Sequence, residues 1–303
     1  MAQAFQLPDG RELSYELTYV TEPQRPTVLL SNSLSAQFGF WDEVVSALHD
    51  AGFRVLLYDH PGHGKSSAPT DLGSTTFESL ADDVHNLLTS KEITAAFSGH
   101  HAPRTLTPFL HAWVGVSMGA ALGIFFVTKF PGMVKNLVVC DTISCSPSNA
   151  GVEDAFGPRV KAARQDGDMK KTVQSTMERW FGAEWIASHS ERADVLRGLM
   201  ETTTIDGFET CIAALQSPTF DVRPLAPKVA SGTEHVLFVV GEKDADLPEK
   251  MKGLRDGVQD GFSAAGKSGE QVDFVVIPNA GHVSFVDGFE AFRDAVVPFL
   301  KRT

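Results

Sequence analysis

HAWVGVSMGAALGIFF, residues 111–126, decides how the chain is read. The apolar run Ala112–Val116 meets Ser117 inside the pentapeptide Gly115-Val116-Ser117-Met118-Gly119, and a second apolar run follows. Either the glycines let two elements pack closely and the hydroxyl is incidental, or the turn exists to present Ser117. Strand, then G-x-S-x-G, then helix is the order in which this pentapeptide forms a nucleophile elbow. In such an elbow the serine takes a strained backbone conformation, and side chains at 115 or 119 would strike the neighbouring strand and helix. The hydroxyl then stands at a helix N-terminus, whose dipole favours a developing negative charge.

Working outward, short continuous apolar runs recur at 27–30, 54–58, 112–116, 136–140, 235–240 and 273–277. Continuous apolarity marks strands buried on both faces, as in a parallel sheet covered by helices. Between them lie helical periods, with Phe77, Leu80, Ala81, Val84, Leu87 and Leu88 on one face and Gly52 closing the helix before it. The N-terminal segment alternates around Asp9-Gly10 and predicts a hairpin. The fold class expected is α/β, a doubly wound and mostly parallel sheet. Residues 145–230 break the alternation with helical patterns only, which predicts a helical cap over a core of 1–144 and 231–303. Segments 94–110 and 261–271 are polar and punctuated by glycine or proline, and read as surface loops.

Composition narrows the function. The chain has 303 residues, 26 Lys and Arg against 38 Asp and Glu, and a net charge of −12. An acidic chain without a basic run disfavours nucleic acid and anionic membranes as partners. No signal peptide pattern or spanning segment is read, and Cys140, Cys145 and Cys211 form no paired motif, so a cytoplasmic location with free core thiols is expected. The partner expected is a small-molecule substrate, and a homo-oligomer is left open. His100, His101 and His111 lack a carboxylate or cysteine at ligand spacing, so neither metal nor organic cofactor is expected. DHPGHGKSS (59–67) lacks a full phosphate-loop pattern and reads as a tight turn after a strand.

A serine hydroxyl needs a base, and the base needs an acid to orient it. In this architecture acid and histidine follow in that order, each after a strand. Asp244 in GEKDADLP and His282 in NAGHVSF meet the requirement, with Asp246 and Asp141 as alternatives for the acid. Two backbone N–H groups should face the developing oxyanion: Met118, next to the serine, and Leu34 in the loop after an early strand.

With these residues assembled, the chain resembles the α/β-hydrolase fold superfamily through SNSL (31–34), DHPGHGKS (59–66), GVSMG (115–119), GEKDADLP (241–248) and NAGHVSF (279–285). Within it, LSNSL at the oxyanion position, ERWFG (178–182) and residues 203–229 are similar to the 3-oxoadipate enol-lactonases. Pro61 stands where that family often has Arg, and Phe156 replaces the Trp of a Trp-x-x-Arg pattern whose arginine, Arg159, is retained. The resemblance implies hydrolysis of a lactone or ester through an acyl-enzyme on Ser117, with Arg159 pairing a substrate carboxylate or simply solvated on a helix face. A general carboxylesterase for a neutral ester is the alternative, and a non-catalytic ligand-binding protein ranks below both.

Overall fold

The computed structural model describes residues 2–97, 110–267 and 271–303. Eight strands, β1 (Gln3–Gln6), β2 (Glu12–Leu17), β3 (Thr27–Ser31), β4 (Arg54–Tyr58), β5 (Leu110–Val116), β6 (Val134–Cys140), β7 (His235–Gly241) and β8 (Val272–Ile277), form one sheet in the order β1-β2-β4-β3-β5-β6-β7-β8. The β1–β2 hairpin joins antiparallel through β2 and β4, and all pairs from β4 to β8 are parallel. Each apolar run of the sequence is a strand because both its faces are covered. In β3 and β4 every residue is buried.

The helices are α1 (Asp42–Asp50), α2 (Phe77–Thr89), α3 (Lys91–Phe97), α4 (Met118–Lys129), α5 (Pro147–Ala150), α6 (Gly157–Asp166), α7 (Lys170–Ser188), α8 (Ser190–Glu201), α9 (Ile205–Gln216), α10 (Val229–Gly232), α11 (Leu247–Ala264), α12 (Ser284–Asp287) and α13 (Phe289–Arg302). Helix α4 packs on β5 and β6, with α2 and α10 against it, while α1 lies on β4 and packs with α13. Ten consecutive residues of α4, Met118 to Val127, are buried, which explains its lack of an amphipathic pattern.

Helices α5–α10 lie between β6 and β7, and α5–α9 precede the short α10 and dock back on the core through specific contacts. The Gly62 turn (φ 68°) meets Gly207 of α9 so closely that a methyl group on Gly62 would lie 2.2 Å from the Gly207 Cα. Gln37 Nε2 donates to the Leu199 carbonyl at 2.7 Å, and the Thr75 and Thr210 hydroxyls share a hydrogen bond of 2.7 Å.

Two loop expectations need correcting. Segment 261–271 begins as helix, since α11 continues to Ala264 with Leu247, Met251, Leu254, Val258 and Phe262 buried along one face. The glycines at 253, 257 and 261 and the polar opposite face obscure this period in the sequence. Segment 94–110 also starts as helix, in α3, and ends as strand at Leu110. Its remainder, with His100 and His101, lies outside the described residues. His111 lies in β5 and hydrogen-bonds through Nε2 to the Leu300 carbonyl at 2.8 Å.

Candidate active site

Ser117 sits between β5 and α4 at φ 54°, ψ −117°. For a non-glycine residue this conformation costs about 1–3 kcal/mol, so the surroundings must enforce it. They do. Its N–H donates to the Cys140 carbonyl at 2.8 Å, and its carbonyl accepts from Thr142 Oγ1 at 2.8 Å and from the Ala120 and Ala121 amides at 3.1 Å. A methyl group on Gly115 would lie 2.2 Å from the Gly119 carbonyl oxygen, and one on Gly119 would lie 2.3 Å from that of Ser31. The two glycines are there because the turn leaves no room for a Cβ.

Ser31 pairs in register with Gly115, so the loops after β3 and β5 leave the sheet side by side, where the strand order reverses. That reversal is where open α/β sheets form a binding crevice. The loop after β3 is held from below. Asn32 Nδ2 donates to the Tyr58 carbonyl at 3.0 Å, and Trp41 Nε1 donates to Asn32 Oδ1 at 2.6 Å. His60 Nε2 donates to the Asn32 carbonyl at 2.8 Å. The Ser35 amide donates to His63 Nε2 at 2.9 Å, which leaves the proton on Nδ1 to reach the Pro61 carbonyl at 2.9 Å. Burial pushes His60 down to about 4, and burial followed by the neighbouring His60 pushes His63 down to about 3. Both rings are therefore neutral struts of fixed tautomer at neutral pH. The structure gives the turn at 59–67 this supporting part, which the sequence reading does not assign. Leu34 lies buried in the supported loop, and the Met118 amide, first in α4, has no intrahelical acceptor.

Asp244 follows β7 and His282 follows β8; both are buried, and His282 Nδ1 meets Asp244 Oδ2 at 2.8 Å. The two alternative acids are occupied elsewhere. Asp141 accepts from the Gly241 amide at 2.7 Å and from Ser284 Oγ at 2.6 Å, clamping the ends of β6 and β7 to the histidine loop. Burial, and then the Asp244 carboxylate, push its carboxyl well above the usual range. Asp246 precedes α11 and pairs with Lys250 at 2.6 Å on the exposed surface.

Two further groups grip the histidine loop. Asp287 Oδ2 accepts the Gly281 amide at 2.7 Å, and burial raises this carboxyl to about 6. The His282 amide donates to the Trp180 carbonyl at 3.2 Å, and the two rings lie 5.6 Å apart. Helix α7 breaks at Gly182 (φ 75°, ψ 157°), just past Trp180. Neither Asp287 nor the Trp180 carbonyl announces itself in the sequence, because each acts through backbone. Arg159, at the start of α6, donates to Thr176 Oγ1 at 2.8 Å and lies over the Phe208 ring at 5.6 Å. Among the described residues no group of three His, Cys, Asp or Glu side chains is placed to hold a metal ion.

A mostly parallel eight-stranded sheet with a strained serine after its fifth strand and an acid–imidazole pair after its seventh and eighth is the architecture of the α/β hydrolases. The chain belongs to the alpha/beta hydrolase family, whose model matches residues 28–295, and it is a hydrolase. It is similar to 3-oxoadipate enol-lactonase 2 of Acinetobacter baylyi, 26% identical over 290 residues that cover 94% of this chain and 93% of the relative. A RutD hydrolase of Variovorax paradoxus, named for carbamate, is 26% identical over 286 residues, 91% of each chain. Among solved structures, the enol-lactonase from Burkholderia xenovorans LB400 matches with a TM-score of 0.80 at 25% identity, covering 99% of this chain and all of that one.

Proposed function

We propose that the protein is a serine hydrolase that cleaves a small lactone or carboxylic ester through an acyl-enzyme on Ser117. The observation that carries this reading is the 2.8 Å bond from His282 Nδ1 to Asp244 Oδ2, in a chain that also holds Ser117 in a strained turn at the end of β5. With its Nδ1 proton given to Asp244, the imidazole presents Nε2 as a base. Ser117 Oγ attacks the carbonyl carbon while Nε2 takes its proton, and the Leu34 and Met118 amides stabilise the tetrahedral oxyanion. Losing one such donor costs about 3 kcal/mol of barrier. The intermediate collapses, Nε2 returns the proton to the leaving oxygen, and the acyl group stays on Ser117. In a lactone the leaving alcohol remains tethered to the acyl chain. Water, deprotonated by Nε2, then attacks the acyl carbon, and the second tetrahedral intermediate breaks its bond to Ser117 Oγ, which takes the proton back from Nε2 as the acid is released.

Helices α5–α9 act as a cap, docked on the Gly62 turn and on the histidine loop. Arg159 of this cap pairs with a carboxylate on the substrate, which favours an acidic lactone over a neutral ester. The enol-lactonases at 26% identity support the same class. A fluorophosphonate probe should label the wild type and leave Ser117→Ala unlabelled; equal labelling of both would end the proposal. A panel of lactones, linear esters and carbamates then ranks the substrate classes, and faster turnover of neutral esters than of acidic lactones would favour the carboxylesterase alternative.

A further inference from the structure

Gln37 is buried in the loop after β3 that carries the Leu34 amide. Among the described residues its side chain bonds only to the C-terminal end of α8. Nε2 donates to the Leu199 carbonyl at 2.7 Å and to Thr202 Oγ1 at 2.5 Å. The Thr202 hydroxyl donates in turn to the same carbonyl at 2.8 Å, which closes a small ring of hydrogen bonds. Carbonyls at a helix C-terminus lack intrahelical donors, so α8 has acceptors to offer there. Packing beside the ring is as close: a methyl group on Gly39 would lie 2.7 Å from Leu199 Cδ1.

The turn between α8 and α9 reaches the same loop by a second route. Thr204 donates through both its amide and its hydroxyl to the Gly62 carbonyl, each at 3.1 Å. Gly62 stands between His60 and His63, whose rings hold the Asn32 carbonyl and the Ser35 amide. Residues 199–204 therefore support the loop on both sides of Leu34. The loop needs that support. Ser35 sits at φ 67°, in the left-handed region that residues other than glycine rarely adopt, and the Leu34 amide has no hydrogen-bond acceptor among the described residues. An oxyanion donor lowers the barrier only if its N–H is already aimed, and a misplacement of about 1 Å can cost about 100-fold.

We infer that Gln37 is a positioning residue for the hydrolysis: it hangs the Leu34 loop from the C-terminal end of α8, so the inserted helices set the aim of an oxyanion donor as well as the seat of the histidine. The core supplies the other anchors of the loop, His63 at Ser35 and the Asp59 carboxyl, which accepts the Phe38 amide at 3.3 Å. Gln37 lies between them and is the side chain that reaches across to the inserted helices. This inference rests on the hydrolase reading above.

The test measures p-nitrophenyl acetate kinetics, affinity for an aryl trifluoromethyl ketone, and thermal melting. It uses wild type, Gln37→Leu, Thr202→Val and Thr202→Ser, with Thr210→Val as the control for docking. The ketone reads the oxyanion site: Ser117 Oγ bonds to its carbonyl carbon, the hydroxyl proton passes to His282 Nε2, and the negative charge settles on the former carbonyl oxygen. Gln37→Leu removes both donated bonds at similar volume and should lower kcat about 10- to 100-fold with KM changed less than about threefold. Ketone affinity should fall by the same factor. Thr202→Val should lower kcat about 3- to 10-fold, and Thr202→Ser should recover most of that loss. Thr210→Val breaks the 2.7 Å bond to Thr75, which joins the inserted helices to the core away from the loop, and should melt lower with kcat within about twofold of wild type. Unaltered kcat in Gln37→Leu, ketone affinity that does not follow kcat, or an equal loss of kcat in Thr210→Val would each overturn the inference. Should Gln37→Leu not fold, Thr202→Val against Thr202→Ser makes the same comparison. A wild type that fluorophosphonate leaves unlabelled would remove the hydrolase reading and this inference with it, whereas a labelled wild type with unaltered kcat in the loop variants would remove this inference alone.

Discussion

Replacing Asp244 by Asn should abolish nearly all turnover while leaving the fold intact, and replacing Asp141 by Asn should do neither. The carboxylate of Asp244 accepts the Nδ1 proton of His282 at 2.8 Å in a buried setting. An amide N–H turned toward Nδ1 makes that nitrogen the acceptor and moves the ring proton to Nε2, where a base is needed. With the amide oxygen turned inward the tautomer survives, but the imidazolium formed during reaction loses its counter-charge. Loss of the charge-assisted bond and of the correct tautomer together should cost about 4–5 kcal/mol, or roughly 10³–10⁴ in kcat. Asp141 differs because burial already drives it toward its neutral form, which an asparagine imitates. In Asp141→Asn the side-chain oxygen can still accept from the Gly241 amide, and the new amide group can donate to Ser284 Oγ, a hydroxyl able to reverse its part. Stability should change by about 1 kcal/mol or less, and kcat by less than about tenfold. The assay is p-nitrophenyl acetate hydrolysis from about pH 6 to 9, with thermal melting as the folding control. A loss of about 10³-fold in Asp141→Asn beside a mild Asp244→Asn would show the acid to be wrongly assigned.

Gly119→Ala places a methyl group 2.3 Å from the Ser31 carbonyl oxygen and 2.5 Å from its carbon, backbone atoms that cannot swing aside, and should lower stability by about 3 kcal/mol or more in urea titration. His63→Ala strands the Ser35 amide and the Pro61 carbonyl and should cost about 2–4 kcal/mol, with kcat falling because the Leu34 loop loosens. In the wild type the neutral His63 stabilises fully above pH 6.5, and this contribution drains as pH falls toward about 3; the variant should lose less stability over that window in denaturation series at successive pH values. Asp287 is raised from 3.8 to about 6, chiefly by burial, with the Gly281 amide and Lys243 opposing and Asp244 adding to the rise. The stabilisation that its protonated form gives is present below 3.8 and lost as pH rises through about 6, a swing of up to about 3 kcal/mol. Asp287→Asn should therefore be more stable than wild type at about pH 8 and show no gain at about pH 4.

The strands were legible because burial on both faces forces continuous apolar runs, and Ser117 because Gly115 and Gly119 are the residues that a turn without room for a Cβ demands. Asp244 and His282 could be placed in order along the chain, and Asp244 could be preferred to Asp141 as the acid, but what Asp141 does instead was not legible. Asp141 also ends a strand, and only the Gly241 and Ser284 hydrogen bonds show it to be occupied. Helix α11 is hard to read because three glycines and a charged face interrupt a sound apolar period at Leu247, Met251, Leu254, Val258 and Phe262. His60 and His63 are hidden for another reason. Their work is to hold Asn32 and Ser35, some 28 residues away in sequence, and no local pattern encodes that pairing.

The break in α7 ties the inserted helices to the chemistry more closely than packing alone would. In an uninterrupted helix the Trp180 carbonyl would accept from the amide four residues on, Glu184, and would have nothing to offer His282. Gly182, at a φ of 75° that other residues rarely adopt, interrupts the ladder one turn early. The freed carbonyl accepts the His282 amide at 3.2 Å, and Gly281 is a glycine because a methyl group there would lie 2.0 Å from that same oxygen. His282 is thus fixed from three directions: Asp244 on its ring, Asp287 through the amide before it, and Trp180 through its own amide. The third of these belongs to α7, one of the helices inserted between β6 and β7. A substitution that shifts α7 near Trp180 should therefore disturb the His282 loop as well, read as a loss of activity larger than the loss of stability in thermal melting.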